Sequence, residues 1–302
     1  MAMYTFMNGK FIPDEEASVP IRNKALNYGL GIIEGIRGYW NPDHKQLYVF
    51  RLTLHYERLL EACRALAIDI PYTASQLSEI TVELIKINNV KRNIYIRPFA
   101  FIDQESLRPS LINEQYGLTI ALVEPGIYAF NELKTLTSSW LRITTNTIPS
   151  QLKTSAGYMN SALAYSDAVR SGADEAILLT REGNLSEAST SNLFVVRGDH
   201  ILTPQASDDI FPGITRSTVL TLAEDDPSLT WEITTLPKTS LYTADEVFLT
   251  GTAIQIVSVV SADFRQVGSG ITGPVTAYLQ KSYMDIVHGK VPNRFNWLTA
   301  VY

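Results

Sequence analysis

Beyond residue 135 the chain changes texture every few residues, and this alternation narrows the fold more than any other feature. WLRITTN, EAILLT, NLFVV, WEITTLP and EVFLTG carry the β-branched and aromatic residues of strands. SALAYSDAVRSG, ITRSTVLTLAEDD and PVTAYLQKSYMDIVHG have helical spacing. Strands so mixed with helices, several as hairpin-like neighbours, predict an α+β architecture rather than a doubly wound sheet. The first third opens with short strand-like runs, YTFMNGKFI and QLYVFRL. Helical patterns at 52–67 and 74–89 then lead into NIYIRPFAFI at 93–102 and GLTIALVEP at 117–125, both read as strands. The Pro-Gly closing the last run marks a domain edge. At 302 residues two domains are expected. They are a small one over 1–126 and a large one over 136–302, joined by a loop at 127–135.

Composition excludes more than it assigns. A net charge of −6 with scattered basic residues gives no electrostatic reason to bind nucleic acid or an anionic membrane. The single cysteine, Cys63, rules out an internal disulfide and sits in a helical pattern that predicts burial. No apolar run approaches a membrane span, and MAMYTFMNGKFIP lacks the features of a signal peptide, so a cytoplasmic protein is expected. His44, His55, His200 and His288 are too dispersed for a metal site, and no metal is expected. GSGITG at 268–273 matches a dinucleotide-binding glycine pattern. Pro274 follows it and no acid lies about twenty residues on, so it reads as a turn before the last helix.

One lysine stands apart. PSQLKTSAGYMNS at 149–161 holds Lys153 among small, mostly uncharged residues, and between Arg142 and Arg170 only Lys153 and Asp167 are charged. Alone, this fits a quiet surface loop as well as an amine protected for use as a nucleophile. GNLSEASTSNLFVV places Glu187 in a polar turn before a strand. FPGITRSTV puts Gly213, Ile214 and Thr215 at a helix start suited to a phosphate, and TGTAIQI is a turn offering N–H groups and a hydroxyl. An amine, a carboxylate and an anion site are the parts that an aldehyde cofactor with a pyridine ring and a phosphate requires.

In this order the segments resemble the branched-chain amino acid aminotransferases, pyridoxal-phosphate enzymes of fold type IV. The resemblance runs from ALNYGLGIIEGIR at 25–37 through YVFRLTLHYERL, YIRP, NTIPSQLKTSAGYMNS, LSEASTSNLF and FPGITR to YTADEVFLTGTAIQI, most of the chain. It implies a two-domain fold, a homodimer or higher homo-oligomer, and pyridoxal 5'-phosphate as cofactor. The implied reaction is ping-pong transfer of an amino group from Leu, Ile or Val to 2-oxoglutarate. On matching positions Lys153 is the Schiff-base lysine and proton shuttle, Tyr158 bonds the ring hydroxyl and Glu187 pairs with the pyridine nitrogen. Arg51, Ile214, Thr215 and Thr252 hold the phosphate. Thr252, Ala253 and Tyr95 match the α-carboxylate site. Arg97 and Tyr28 match groups for the distal carboxylate of glutamate, Tyr28 reaching in from the partner subunit, and Tyr128 and Arg37 complete the pocket edge. Ile33 stands where relatives carry an aromatic residue, and FIDQESLRPSLIN at 101–113 lacks the expected glycine-rich pattern, which leaves side-chain preference open. D-amino acid and (R)-amine transaminases, then aminodeoxychorismate lyase, are the alternatives within the fold, and Tyr95 and Arg97 argue against them. A non-catalytic cofactor-binding protein is the alternative outside catalysis.

Overall fold

The alternation in NIYIRPFAFI becomes the longest strand of a sheet, with Ile94 and Ile96 buried and Tyr95, Arg97 and Phe99 on the other face. The computed structural model describes residues 3–112, 114–124 and 132–302. Its chain divides into two units.

The first unit comprises Met1–Gly126, Leu152–Ala156 and Asp285–Tyr302. It contains strands β1 (Tyr4–Met7), β2 (Lys10–Pro13), β3 (Gly31–Ile33), β4 (Ile36–Asn41), β5 (Gln46–Phe50), β6 (Ile94–Ile102) and β7 (Tyr116–Val123). Its helices are α1 (Lys24–Tyr28), α2 (Leu52–Ala65) and α3 (Ala74–Ile87). With a C-terminal strand at Leu298–Ala300 they form an antiparallel sheet, ordered C-terminal strand, β5, β4, β6, β7, β1, β2, with β3 also on β6. Tyr56 and Leu59 of α2 and Leu77 and Leu84 of α3 share one core with Ile36, Val49, Ile94 and Ile96. A capping box starts α3: the Thr73 hydroxyl accepts from Gln76 N, and Thr73 N donates to the Gln76 side chain. Cys63 is buried in α2, as its helical spacing predicts.

The second unit comprises Ile127–Gln151 and Gly157–Met284. Its elements begin with β8 (Glu132–Thr137), α4 (Tyr158–Arg170), β9 (Glu175–Leu179), β10 (Leu185–Ala188), β11 (Asn192–Arg197) and β12 (His200–Thr203). They continue with α5 (Ile214–Glu224), β13 (Thr230–Ile233), β14 (Glu246–Gly251), β15 (Gln255–Ala262), β16 (Arg265–Gln266) and α6 (Pro274–Val287). The sheet order is β10, β9, β8, β15, β14, β11, β12, β13, with β16 on β15. β8 runs parallel to β9 and β15, and β12 parallel to β13, while the other pairs are antiparallel. Leu193, Val195, Val247, Leu249, Val257 and Val259 form its main core. The mixture is α+β, as expected.

Three readings change. WLRITTN is not a strand: Trp140 and Leu141 are exposed, so this β-prone run has no buried face to organise it, and the strand lies upstream as β8. Glu187 lies in the short strand β10 instead of a polar turn. The units are not continuous stretches like 1–126 and 136–302, because 152–156 and 285–302 group with the first. Long-range backbone bonds explain the former: Ile33 N donates to Lys153 O at 3.0 Å and Ser155 N to Gly31 O at 2.9 Å. No described helix is long and apolar enough to cross a membrane. Tyr128 and most of the expected loop at 127–135 lie outside the described residues.

Candidate active site

In the first unit, the residues around Lys153 are small because the backbone comes close. The Ser155 hydroxyl donates to Gly29 O at 2.7 Å, and a Cβ at Gly29 would press on Ala156 at 3.0 Å. Gly29 ends α1 in the left-handed region at φ 66°, which a side chain would resist. Lys153 is half-buried, not displayed on a surface loop.

The strand bonded to Lys153 leads to a mixed polar and apolar face. Ile33 pairs with Phe99, and Arg37 of β4 with Tyr95 of β6; directly opposed residues share a face. Two residues on from Tyr95, Arg97 lies on that face as well. Its guanidinium sits 5.3 Å from the Tyr95 ring centroid and reaches the phenol oxygen at 3.5 Å. Gly35 gives the Tyr95 hydroxyl its space, since a Cβ there would overlap it. Ile33, Phe99, Arg37, Tyr95 and Arg97 thus offer apolar surface and guanidinium groups together. Tyr28 donates its hydroxyl to Leu107 O of the same chain at 2.7 Å.

Arg51 lies in the left-handed backbone region, uncommon for a residue with a side chain. It adopts φ 49°, caps α2 without a side-chain bond, and holds its guanidinium 5.0 Å over the Trp297 ring. A cation at the positive end of a helix favours an anion there.

In the second unit, three donors surround Glu187. Arg142 meets Oε1 at 2.6 Å, while Asn192 Nδ2 and Phe211 N donate to Oε2 at 2.8 and 3.1 Å. Asn192 Nδ2 also donates to Phe211 O at 2.7 Å, tying the carboxylate to the segment that starts α5. Gly213 caps α5 without a side-chain bond, and its lack of a Cβ leaves room for the Asn192 amide oxygen. The first N–H groups of such a helix need acceptors from outside it. Asn192 is also the cross-strand partner of Thr250, whose buried hydroxyl has no partner among the described residues. The hairpin turn that follows presents Thr252 and Ala253. Asn192 therefore links Glu187 to the segment that starts α5 at Ile214 and Thr215, and its strand partner Thr250 lies two residues before Thr252. Tyr158, half-buried, opens α4. Arg216 lies within electrostatic reach of Glu187; burial pushes its guanidinium down and the carboxylate pulls it back.

Arg142 and Asn192 are partners of Glu187 that sequence reasoning missed. Asn192 lies inside the quoted STSNLF motif, and Arg142 inside the run misread as a strand. The donor set suits a pyridine ring and a phosphate. Glu187, oriented by these donors, is a buried carboxylate of the kind with which a ring N–H pairs. The start of α5 supplies N–H groups for phosphate oxygens. No group of His, Cys, Asp and Glu that could hold a metal occurs among the described residues.

Residues 31–262 match the family model for amino-transferase class IV. The chain belongs to the class IV aminotransferases, and its fold is fold type IV. A probable branched-chain-amino-acid aminotransferase of Aquifex aeolicus (strain VF5) is 40% identical over 301 residues, 99% of this chain and 97% of the relative. The crystal structure of the branched-chain aminotransferase from the thermophilic archaeon Thermoproteus uzoniensis with norvaline has a TM-score of 0.95 at 37% identity, covering 100% of both chains. That of the T.th. branched-chain amino acid aminotransferase complexed with N-(5'-phosphopyridoxyl)-L-glutamate has a TM-score of 0.92 at 36% identity, covering 100% of this chain and 99% of the other.

Proposed function

We propose that this chain is a pyridoxal-phosphate-dependent aminotransferase that moves the amino group of Leu, Ile or Val to 2-oxoglutarate in two half-reactions. One observation carries the substrate assignment. The strand whose Ile33 N–H bonds Lys153 also contributes Ile33 to the face bearing Arg37, Tyr95 and Arg97. Such a face accommodates an apolar side chain and a distal carboxylate in turn, the tyrosine offering a ring to one and a hydroxyl to the other. The relatives' names support the donor class, and their norvaline and L-glutamate complexes support both kinds of side chain.

When bound, pyridoxal phosphate supplies an aldehyde carbon that accepts the amino group and a ring that withdraws electrons from the substrate Cα. Lys153 holds it through its amine and, once displaced, carries the α-proton on Nζ. Glu187 takes the ring nitrogen, with Arg142 and Asn192 fixing the carboxylate. Tyr158 bonds the ring hydroxyl. Arg51, Ile214, Thr215 and Thr252 hold the phosphate. Thr252, Ala253 and Tyr95 orient the α-carboxylate, and Arg97 with a partner subunit's Tyr28 receives the distal carboxylate. Tyr128 and Arg37 form the pocket edge in this reading, which includes a homodimer acting in the cytoplasm.

Initial rates with L-leucine, L-isoleucine, L-valine, D-alanine and 1-phenylethylamine against 2-oxoglutarate and pyruvate test it. Fastest turnover of a branched L-amino acid with 2-oxoglutarate is expected. Preference for D-alanine or the amine would overturn the substrate assignment.

A further inference from the structure

A second charged cluster lies in the first unit, next to the strand bonded to Lys153. Glu34 directly follows Ile33 and is fully buried, with its N–H bonded to Pro98 O at 2.9 Å. Its Oε1 accepts from Arg58 Nε at 2.7 Å, and its Oε2 meets the second Arg58 nitrogen at 2.9 Å and His55 Nδ1 at 2.8 Å. Burial opposes a charge on Glu34, yet Arg58 and His55 outweigh it and hold the carboxyl well below its usual range. For His55, burial favours the neutral ring against the pull of Glu34, and the charges of Arg58 and Lys153 act in the same direction as burial. With Nδ1 donating to an ionised Glu34, a neutral ring has Nε2 unprotonated. The cluster thus holds a buried carboxylate between a guanidinium and an imidazole, one residue along the chain from Ile33, whose N–H bonds the Lys153 carbonyl. Stability alone is a weak reason for such a cluster, since a buried ion pair is often no better than apolar packing.

We propose that Glu34, with His55 and Arg58, is a positioning cluster for Lys153. It anchors the strand that holds the lysine backbone, and through its charge it sets how readily the Lys153 amine reacts. The inference rests on Lys153 being the reactive amine. Removing Glu34 leaves the Arg58 cation unbalanced, which disfavours a second positive charge nearby and favours the free amine. Removing Arg58 does the reverse.

Competitive acetylation of the full-length, cofactor-free chain by acetic anhydride at fixed pH tests this, with Lys153 labelling read by mass spectrometry against the exposed Lys45. Glu34→Gln should raise the Lys153 to Lys45 ratio about threefold or more, and Arg58→Met should lower it about threefold or more. His55→Gln, which keeps a neutral donor for Glu34, should stay within about twofold of the parent. Ratios that move the same way in the two charge variants, or stay level while the melting temperature falls, would make the cluster structural and overturn the proposal. If one charge variant does not fold, the sign of the other decides. If neither folds, the cluster is structural and the proposal fails. An error in the Lys153 assignment shows separately, as a reducible cofactor link on another lysine.

Discussion

Arg142→Met probes the carboxylate proposed to hold the cofactor ring. The Arg142–Glu187 pair is 2.6 Å long, with side chains only 8% and 5% exposed. Removing one member of a buried ion pair costs about 3–5 kcal/mol. Asn192 Nδ2 and Phe211 N still donate to Glu187 after the change, so the lower end applies, about 3 kcal/mol. In a domain the size of the second unit, 1 kcal/mol moves the melting temperature by about 2–4 °C, and a fall of about 6–12 °C is expected. Calorimetry of the cofactor-free chain measures it without a contribution from ligand binding. Replacing both partners, Arg142→Met with Glu187→Leu, should recover most of the loss, because two apolar groups leave no unpaired charge. A single variant within about 2 °C of the parent, or a double variant as unstable as the single, would refute the reasoning.

Three further outcomes follow from local geometry. Gly35→Ala places a methyl where the Tyr95 hydroxyl lies, so kcat/KM for L-leucine should fall about tenfold or more; an unchanged value removes Tyr95 from the site. Burial pushes the Cys63 thiol up to about 12, so thiol reagents should label it only when urea unfolds the chain, whereas rapid labelling of the native protein contradicts this. Burial works against a charge on Asp263, but Thr137, Tyr242 and Lys238 together outweigh it and hold the carboxyl at about 2, below its ordinary 3.8. Its stabilisation is therefore present above that ordinary value and lost as pH falls to about 2. Allowing for solvent screening, Asp263→Asn should cost about 1 kcal/mol near neutrality in denaturant titrations, with the gap closing across that window; a pH-independent gap contradicts it.

Much of this was legible in the residues, for physical reasons that also mark where legibility ends. Helices α2, α3, α4 and α5 carry a periodic apolar stripe, and Gly213 and the hairpin turn at Thr252 announce themselves by turn chemistry. The small neighbours of Lys153 reflect the close approach of Ser155 to Gly29 and Gly31. Glu187 was identifiable, but its four-residue strand, with a register shift against β9, is too short to alternate visibly. Arg142 was hidden because β propensity in WLRITTN says nothing about whether a neighbouring ladder is available. Glu34 sits in an apolar run, and nothing local links it to His55, 21 positions away, or Ile33 to Lys153. Those pairings belong to the sheet and helix packing that brings them together.

The central claim is that Lys153 is the amine that carries the cofactor. Borohydride reduction of the loaded full-length enzyme, followed by peptide mass spectrometry, tests it most directly, because reduction makes a carbon–nitrogen link to a lysine permanent. The expected result is a phosphopyridoxyl group on the peptide containing Lys153 and on no other lysine. A group on another lysine, or no reducible link in an enzyme that turns over, would contradict the account.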